Sequence, residues 1–377
     1  MNENPEQKTQ AIGQILFISI LFSFGAIFLF FQMHHVSQEA VDRPAVIEKK
    51  PIKREATLGM ATPNGPYMMY ELSLELGRAQ IHDIVVDGAV KWLGTDKGLI
   101  KIVEDKVTQY QQFSDWPFEW VHHLTVTPHG VFVGVLVSDG NTGGEYAGSH
   151  RFDPDTETWT KLGKNKKAQA WLNGALFQIG STLTKHIADN NWQAEEIQLE
   201  ICQNQPRTLT MRAIENELWI VGDGRKYPCG ATRFNPETGE TQAYFNKDGL
   251  IHEQGWDVDG DANGVFVTHS VKYNRMSFFN QQTQKWDLFP KTGSGNSMMV
   301  TADAVWLATA SPRKPLNRVD RNGNSRQLYP PFNNRENMYI SALGQEEDKI
   351  WFGTYIKHWR DGRYDITSKL GYLLHQP

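Results

Sequence analysis

The chain has 377 residues, 40% of them hydrophobic and 21% charged, so most of it is globular rather than disordered. A net charge of −5 excludes a globally basic nucleic-acid binder, and 2 cysteines exclude both a disulfide framework and a cysteine-based zinc finger. The 12 tryptophans and 32 glycines point to short aromatic strands joined by tight turns.

Residues 1–10 form a polar N-terminal tail carrying Lys8. Residues 11–31, AIGQILFISILFSFGAIFLFF, contain no charge. At about 1.5 Å per residue they span roughly 30 Å, the thickness of a bilayer core. The run exceeds a signal-peptide core, and the following FFQMHHVSQEA has no small-x-small cleavage site. A transmembrane helix over 11–33 is expected, and no other run is long enough to span. His34 and His35 follow it as interfacial residues. Residues 34–66 read as a linker, interrupted by Pro44, Pro51, Pro63 and Pro66 and without a sustained apolar period.

From there a phrase recurs: an apolar strand with Trp or Phe at a fixed place, then a small residue. It appears around Trp92, Phe132, Phe177, Trp219, Phe266, Trp306 and Trp351, at successive spacings of 40, 45, 42, 47, 40 and 45 residues. That is the period of a four-stranded propeller blade. An alternating strand and turn precede each phrase. A polar turn follows in phase, as in DPDTETW, NPETGETQ, NQQTQKW and DRNGNSRQ. The prediction is an all-β, seven-bladed β-propeller over 67–377, with six or eight blades also compatible. The phased aromatics are assigned to the packing between blades. The third copy, 166–200, is the weakest match. The strand PYMMYELSLEL, 66–76, stands before the first full copy and is expected to close the ring against the last blade.

Several residues carry candidate chemistry. Asp257, Asp259, Asp261 and Asn263 with Gly264 have the D-x-D-x-N-G pattern of a calcium loop. Ser270 stands where such a loop needs a bidentate Glu, and the segment falls in phase with a hairpin turn, so no metal is assigned. His122 and His123 read as ordinary strand positions, their rings on opposite faces. Cys202 and Cys229 fall in one blade, on connections that emerge on the same face. Either a disulfide or two separate buried thiols fits. No metalloprotease, nucleophile-elbow or phosphate-loop motif occurs, so no catalytic residue and no cofactor is assigned. Loops after the second strands carry Arg225, Lys226 and Tyr227; Lys272, Tyr273 and Arg275; Arg313 and Lys314; and Tyr355 and Lys357. On an acidic chain this basic, tyrosine-bearing face suits an anionic partner surface.

WLGTDKGLIKI, LWIVGDG, VWLATAS and IWFGTYIKHWRDGRYDITSKLG resemble the propeller repeat of two-component regulators. Gly94, Thr95, Gly98 and Leu99 match its Gly-Thr then Gly-Leu pattern in full, and Gly353 with Thr354 matches the first half. The resemblance implies an extracytoplasmic sensor propeller, here without a kinase or DNA-binding output domain. Loop charge after the helix leans weakly the other way, because Lys49, Lys50, Lys53 and Arg54 follow it. Weighed with the short tail, the expectation is a single-pass inner-membrane protein whose propeller faces the periplasm. It would act as a non-enzymatic scaffold or sensor that binds another envelope or membrane protein and no nucleic acid. A propeller lyase or hydrolase acting on an envelope glycan or peptide is the competing reading.

Overall fold

A computed structural model describes residues 52–58, 62–64, 67–70, 79–111, 119–137, 145–163, 167–180, 182–199, 209–222, 229–269, 275–289, 295–309, 315–328, 338–360 and 363–374. Seven sheets follow one another, each built of antiparallel neighbours in chain order. Their inner strands are Ile81–Asp87, Glu119–Thr127, Ala168–Leu172, Leu209–Ile214, Gly255–Asp261, Gly295–Val300 and Met338–Glu346. Each packs on the inner strand of the next sheet, and the seventh packs on the first, which closes a ring. The chain is a seven-bladed β-propeller, and the sheets are called blades 1 to 7 from here on.

Closure is made by a strand from the start of the chain. Tyr67–Tyr70 pairs antiparallel with Arg363–Leu374, Tyr67 facing Leu373 and Tyr70 facing Leu370, as the orphan strand predicts. Two shorter strands lie in the stretch expected to be a linker. Ile52–Thr57 pairs with Lys106–Gln111 on the outside of blade 1, and Thr62–Asn64 pairs with Tyr67–Tyr70 on the outside of blade 7. Pro63 is compatible with its place, since Pro is tolerated on outer edges. Among the described residues no helix is long and apolar enough to cross a membrane; the candidate span 11–33 lies outside them.

The phased aromatics sit between blades. Trp219 and Trp306 are fully buried, as are Phe132, Phe177 and Phe266, and Trp92 and Trp351 are buried too. Trp92 joins a cluster with Val131, Val133 and Phe152 of blade 2, and Trp219 one with Val258, Val265 and Phe279 of blade 5. At about 25 cal/mol per Å², each such Trp contributes roughly 5 kcal/mol before entropy. The Gly of the Gly-Thr signature has a steric reason. A Cβ on Gly94 would lie 2.7 Å from the Val121 carbonyl, and one on Gly353 would lie 2.8 Å from the Ile81 Cβ. In both cases the next blade's inner strand abuts the glycine, so any side chain would separate the blades.

The polar turns are closed by their own side chains. Oδ1 of Asp153 accepts from the N–H groups of Asp155 and Thr156, and Asn235 and Asn280 do the same two and three residues on. Blade 3 is the irregular one. A 3-10 turn over Ala188–Asn190 leads to Asn191 and Trp192 at φ of 48° and 61°, and the Trp192 ring fills the gap against Phe132 at 4.9 Å.

Candidate ligand-binding channel

The inner strands bring polar residues to the ring axis through a repeated irregularity. A β-bulge interrupts pairing at Ile81/Asp83, Val121/His123, Gly255/Asp257, Gly295/Ser297 and Ile340/Ala342. One extra residue per bulge increases the local twist and re-aims the side chains around it.

In blades 1 and 5 the residue after the bulge is an aspartate turned toward the next blade. Asp83 accepts from the N–H of Ile84 at 3.0 Å and from Leu124 of blade 2 at 2.8 Å. Asp257 accepts from Val258 at 2.9 Å and from Met298 of blade 6 at 2.7 Å. Asp259, two residues on, accepts from Val300 of blade 6 at 2.8 Å. Enclosure raises all three carboxyl pKa values, Asp257 to about 7, while Arg212 opposes the rise.

Arg212 lies on the inner strand of blade 4, opposite Trp219. Its charge acts on Asp83 of blade 1, His123 of blade 2, and Asp257 and Asp259 of blade 5. Arg151, Arg233, Arg318 and Arg321 pair directly with carboxylates. Arg212 is partly buried, and Asp257, Asp83 and Asp259 act on it to raise its pKa against the effect of burial.

The bulge at Val121/His123 overturns the expectation for the second histidine pair. The extra residue turns both rings to one place, 4.5 Å apart and edge to face, with His122 Nδ1 and His123 Nε2 at 3.2 Å. His82, the bulge residue of blade 1, stacks on His122 at 5.2 Å and on Trp120 at 5.7 Å. His82 Nε2 is buried without a hydrogen-bond partner among the described residues. Burial pushes the pKa of all three rings down to about 3, so they are neutral. They stack rather than converge, and among the described residues no group of three or more His, Cys, Asp or Glu is placed to hold a metal ion.

The remaining sequence candidates divide between described and undescribed residues. Asp257, Asp259 and Asp261 lie along an extended strand, and Ala262 and Asn263 make its hairpin turn. Asp261 accepts from the Asn263 N–H and pairs with Arg321. These oxygens are thus spread along a strand and taken up by protein donors, not gathered in a calcium loop. Cys229 is buried and disulfide-bonded; Cys202, the chain's other cysteine, lies outside the described residues.

His34 and His35 also lie outside the described residues, as do Arg225, Lys226, Tyr227, Lys272, Tyr273, Arg313 and Lys314. The strands that lead into those basic loops end in register: Gly222 faces Leu209, His269 faces Gly255 and Thr309 faces Gly295. Arg275 is half-buried at the start of the third strand of blade 5. Tyr355 is half-buried and stacks on Tyr339 at 5.2 Å. Tyr355 and Lys357, expected in a loop, instead lie within the strand Lys349–Arg360, opposite Ser368 and Ile366, because the second strand of the last blade runs on past its Gly-Thr.

Asp83 and Arg212 were not singled out from sequence, and Asp257 and Asp259 only as part of a calcium-loop pattern, although a signal for the acids exists. Asp83, His123, Thr210, Asp257, Ser297 and Ala342 each stand nine residues before the phased aromatic. Stacking the copies on that aromatic aligns the acids, and the same column holds the residue after each bulge.

No protein-family model matches the chain, and no curated protein matches it in sequence. Its fold does match solved structures. The extracellular domain of BT4673, a putative one-component system from B. thetaiotaomicron, matches at TM-score 0.56 and 15% identity over 79% of this chain. A second structure of that domain, described as from a putative hybrid two-component system, matches at TM-score 0.54 and 14% identity over 78%. The chain spans 42% and 40% of those two chains. A chain of the mitotic checkpoint complex matches at TM-score 0.57 and 8% identity, over 89% of this chain and 95% of that one. At these identities the likeness is one of fold, shared with sensor-type propellers and with others.

Proposed function

We propose that the chain is a membrane-anchored, non-enzymatic binding or sensor module at the cell envelope. Residues 11–33 would serve as a single inner-membrane span and the propeller would face the periplasm. Its partner would be another envelope or membrane protein with an acidic surface, engaged by the rim carrying Arg225, Lys226, Tyr227, Lys272, Tyr273, Arg275, Arg313, Lys314, Tyr355 and Lys357. The observation that carries this reading is the common register of Gly222, His269 and Thr309. It launches the loops of three consecutive blades from one rim. Tyr offers contact area at low entropic cost, and clustered cations speed encounter with an acidic surface. Likeness in fold to extracellular sensor domains supports the placement. The non-enzymatic reading is supported by the channel acids, which already accept backbone N–H groups and lack a proton-transfer partner of catalytic geometry among the described residues.

The test is reversal of Arg225, Lys272, Arg313 and Lys357 together to Glu. Folding should survive, since charge changes away from a core, a cap or a paired network usually matter by less than about 0.5 kcal/mol each. Recovery of a partner complex from native membranes should fall by at least about tenfold, and the wild-type complex should weaken with salt. Equal recovery by the variant would reject the rim. Turnover of an envelope polymer by the wild-type protein would reject the non-enzymatic reading.

A further inference from the structure

Blade 3 holds a tryptophan in a backbone conformation that other blades give to glycine or to a flexible polar residue. The turn before the outer strand reaches positive φ at one residue in blades 1, 2, 4, 5 and 6, namely Glu104, Glu157, Gly239, Gln284 and Gly323. Blade 3 does so twice in succession, at Asn191 and Trp192, and left-handed backbone is sterically costly for a bulky side chain. The surroundings fix it there. The Trp192 N–H donates to the Ile187 carbonyl at 3.2 Å, and the Trp192 carbonyl accepts from Nδ1 of the buried His186 at 2.9 Å. The indole so placed is half-buried at the surface rather than enclosed.

Trp192 completes a surface platform of three rings. Its indole meets Phe132 at 4.9 Å, and the half-buried Trp171 stacks on the same Phe132 at 6.3 Å. The exposed His129 ring lies 5.5 Å from Trp171 and 5.8 Å from Trp192, and the two indoles are 6.4 Å apart. Rings this close leave no room for a ligand between them, so they offer their outer surfaces. Arg151 ties the group together. Its Nε donates to the His129 carbonyl at 2.5 Å, its Nη2 to Asp153 at 3.1 Å, and its guanidinium lies 5.6 Å over the Trp192 ring. His129 and Trp171 flank hairpin turns that follow first strands, and Trp192 lies in a turn that follows a third strand. In antiparallel blades those turns share one face of the ring, opposite the loops after the second strands. The platform is therefore separate from the basic rim.

We propose that this platform docks a basic side chain, arginine above all, carried by a segment of a partner protein. Indole faces attract cations through the ring quadrupole, and a guanidinium also stacks flat on them, as Arg151 already does on Trp192. The charge of the surroundings selects a cation. Asp189 is exposed in the turn before Trp192, and Glu195 and Glu196 are exposed on the strand after it. Exposed Glu237 accepts from Asn173, two residues beyond Trp171, at 3.0 Å. The cations nearby are already matched: Arg151 pairs with Asp153, and Lys185 stands opposite Glu195 in the sheet. Ile187, 36% exposed, adds apolar surface for the methylene stem of the incoming side chain. A neutral ligand would use the rings but not the acids.

The test uses the full-length protein in detergent and short labelled peptides in which glycine alternates with arginine, lysine or glutamine, read by fluorescence anisotropy at physiological salt. The arginine peptide should bind saturably and at least about tenfold more tightly than the glutamine peptide, with the lysine peptide between them. Trp192→Gly removes the indole, leaves the charge unchanged and suits the left-handed backbone, and should weaken the arginine peptide by at least about fivefold. Should that variant fail to fold, Asp189→Asn with Glu237→Gln decides, since both positions are exposed; it should weaken the arginine peptide by a similar factor. The proposal is overturned if the folded Trp192→Gly or the double variant binds the arginine peptide like wild type, or if the glutamine peptide binds as tightly. Displacement of the arginine peptide by a neutral oligosaccharide would assign the platform to glycans and overturn it too, as would self-association of the unliganded protein that Trp192→Gly abolishes. The readout needs neither native membranes nor the basic rim, so failure of either reading leaves the other standing.

Discussion

The Asp83 carboxylate of blade 1 accepts the Leu124 N–H of blade 2 at 2.8 Å, and Asp257 of blade 5 repeats the bond to Met298 of blade 6 at 2.7 Å. Both acids follow a bulge, and both reach an N–H 41 residues further along the chain. The bulge thus has a structural use: it turns a side chain from the inner strand to staple the next blade. Removing the acceptor would leave an enclosed N–H unsatisfied, at a cost of about 2 kcal/mol per site. Asp83→Ala and Asp257→Ala should each lower the urea midpoint by that equivalent. Asp257→Asn should lower it less, because the amide oxygen still accepts. Midpoints unchanged in both alanine variants would show that the cross-blade bonds contribute nothing to stability.

Ring closure offers a second prediction. Tyr67 and Met69 are 2% and 4% exposed, and the Tyr67 ring meets Phe352 edge to face at 5.9 Å. The closing strand ties the start of the chain to the last blade by backbone pairing, beside the packing of Met338–Glu346 on Ile81–Asp87, so its loss weakens the seam of the ring. A fragment of residues 46–377 should fold cooperatively, whereas 79–377 should not. Tyr67→Ala should cost about 3 kcal/mol or more. Cooperative unfolding of 79–377 at the midpoint of the longer fragment would contradict the closure argument.

How much of this was legible in the sequence depends on what sets each feature. The period of Trp92, Phe132, Trp219, Trp306 and Trp351 is imposed by burial between blades, and burial leaves a pattern that one chain displays. Closure by Tyr67–Tyr70 was legible because a strand with no blade of its own must pair somewhere. The strands Ile52–Thr57 and Thr62–Asn64 were hidden, because outer strands bury little and their prolines read as breakers. The histidine contact was hidden for a different reason. A bulge adds one residue without changing hydrophobic order, so His122 and His123 keep the look of an ordinary alternating strand. Arg212 was hidden because the acids that act on it belong to blades 1 and 5, and no local spacing records a coupling between blades.

Membrane topology gives a third prediction. The charge-free run 11–31 is long enough to span, and the propeller shares its fold with extracellular domains. An alkaline phosphatase fused after Pro377 should be active, and a cytoplasmic reporter at the same place should be silent. The reverse result would put the propeller, and the disulfide at Cys229, on the reducing side of the membrane, where such bonds rarely persist.

The histidines of blades 1 and 2 make stability depend on acid. His82, His122 and His123 have folded pKa values near 3, against an ordinary value of 6.5. Between those limits the unfolded chain binds protons that the folded chain refuses, so stability falls as pH drops below about 6.5. Each ring contributes on the order of 1.4 kcal/mol per pH unit within the window. His150, at about 3, and His269, at about 4, act in the same direction. Asp257 acts in the opposite one: its raised pKa makes the fold more stable below its unfolded value and less stable as pH rises through about 7. Burial raises Asp83, Asp96 and Asp259 in the same direction as Asp257, so five rings are set against four carboxyls, and the denaturant midpoint should still fall from about pH 6.5 to about pH 4.5. In His122→Gln with His123→Gln the fall should be shallower by on the order of 2–3 kcal/mol per unit. A midpoint that stays level across that range in the wild type would mean that the stacked rings accept protons as readily folded as unfolded. Water would then have to reach them through the channel well enough to solvate the imidazolium.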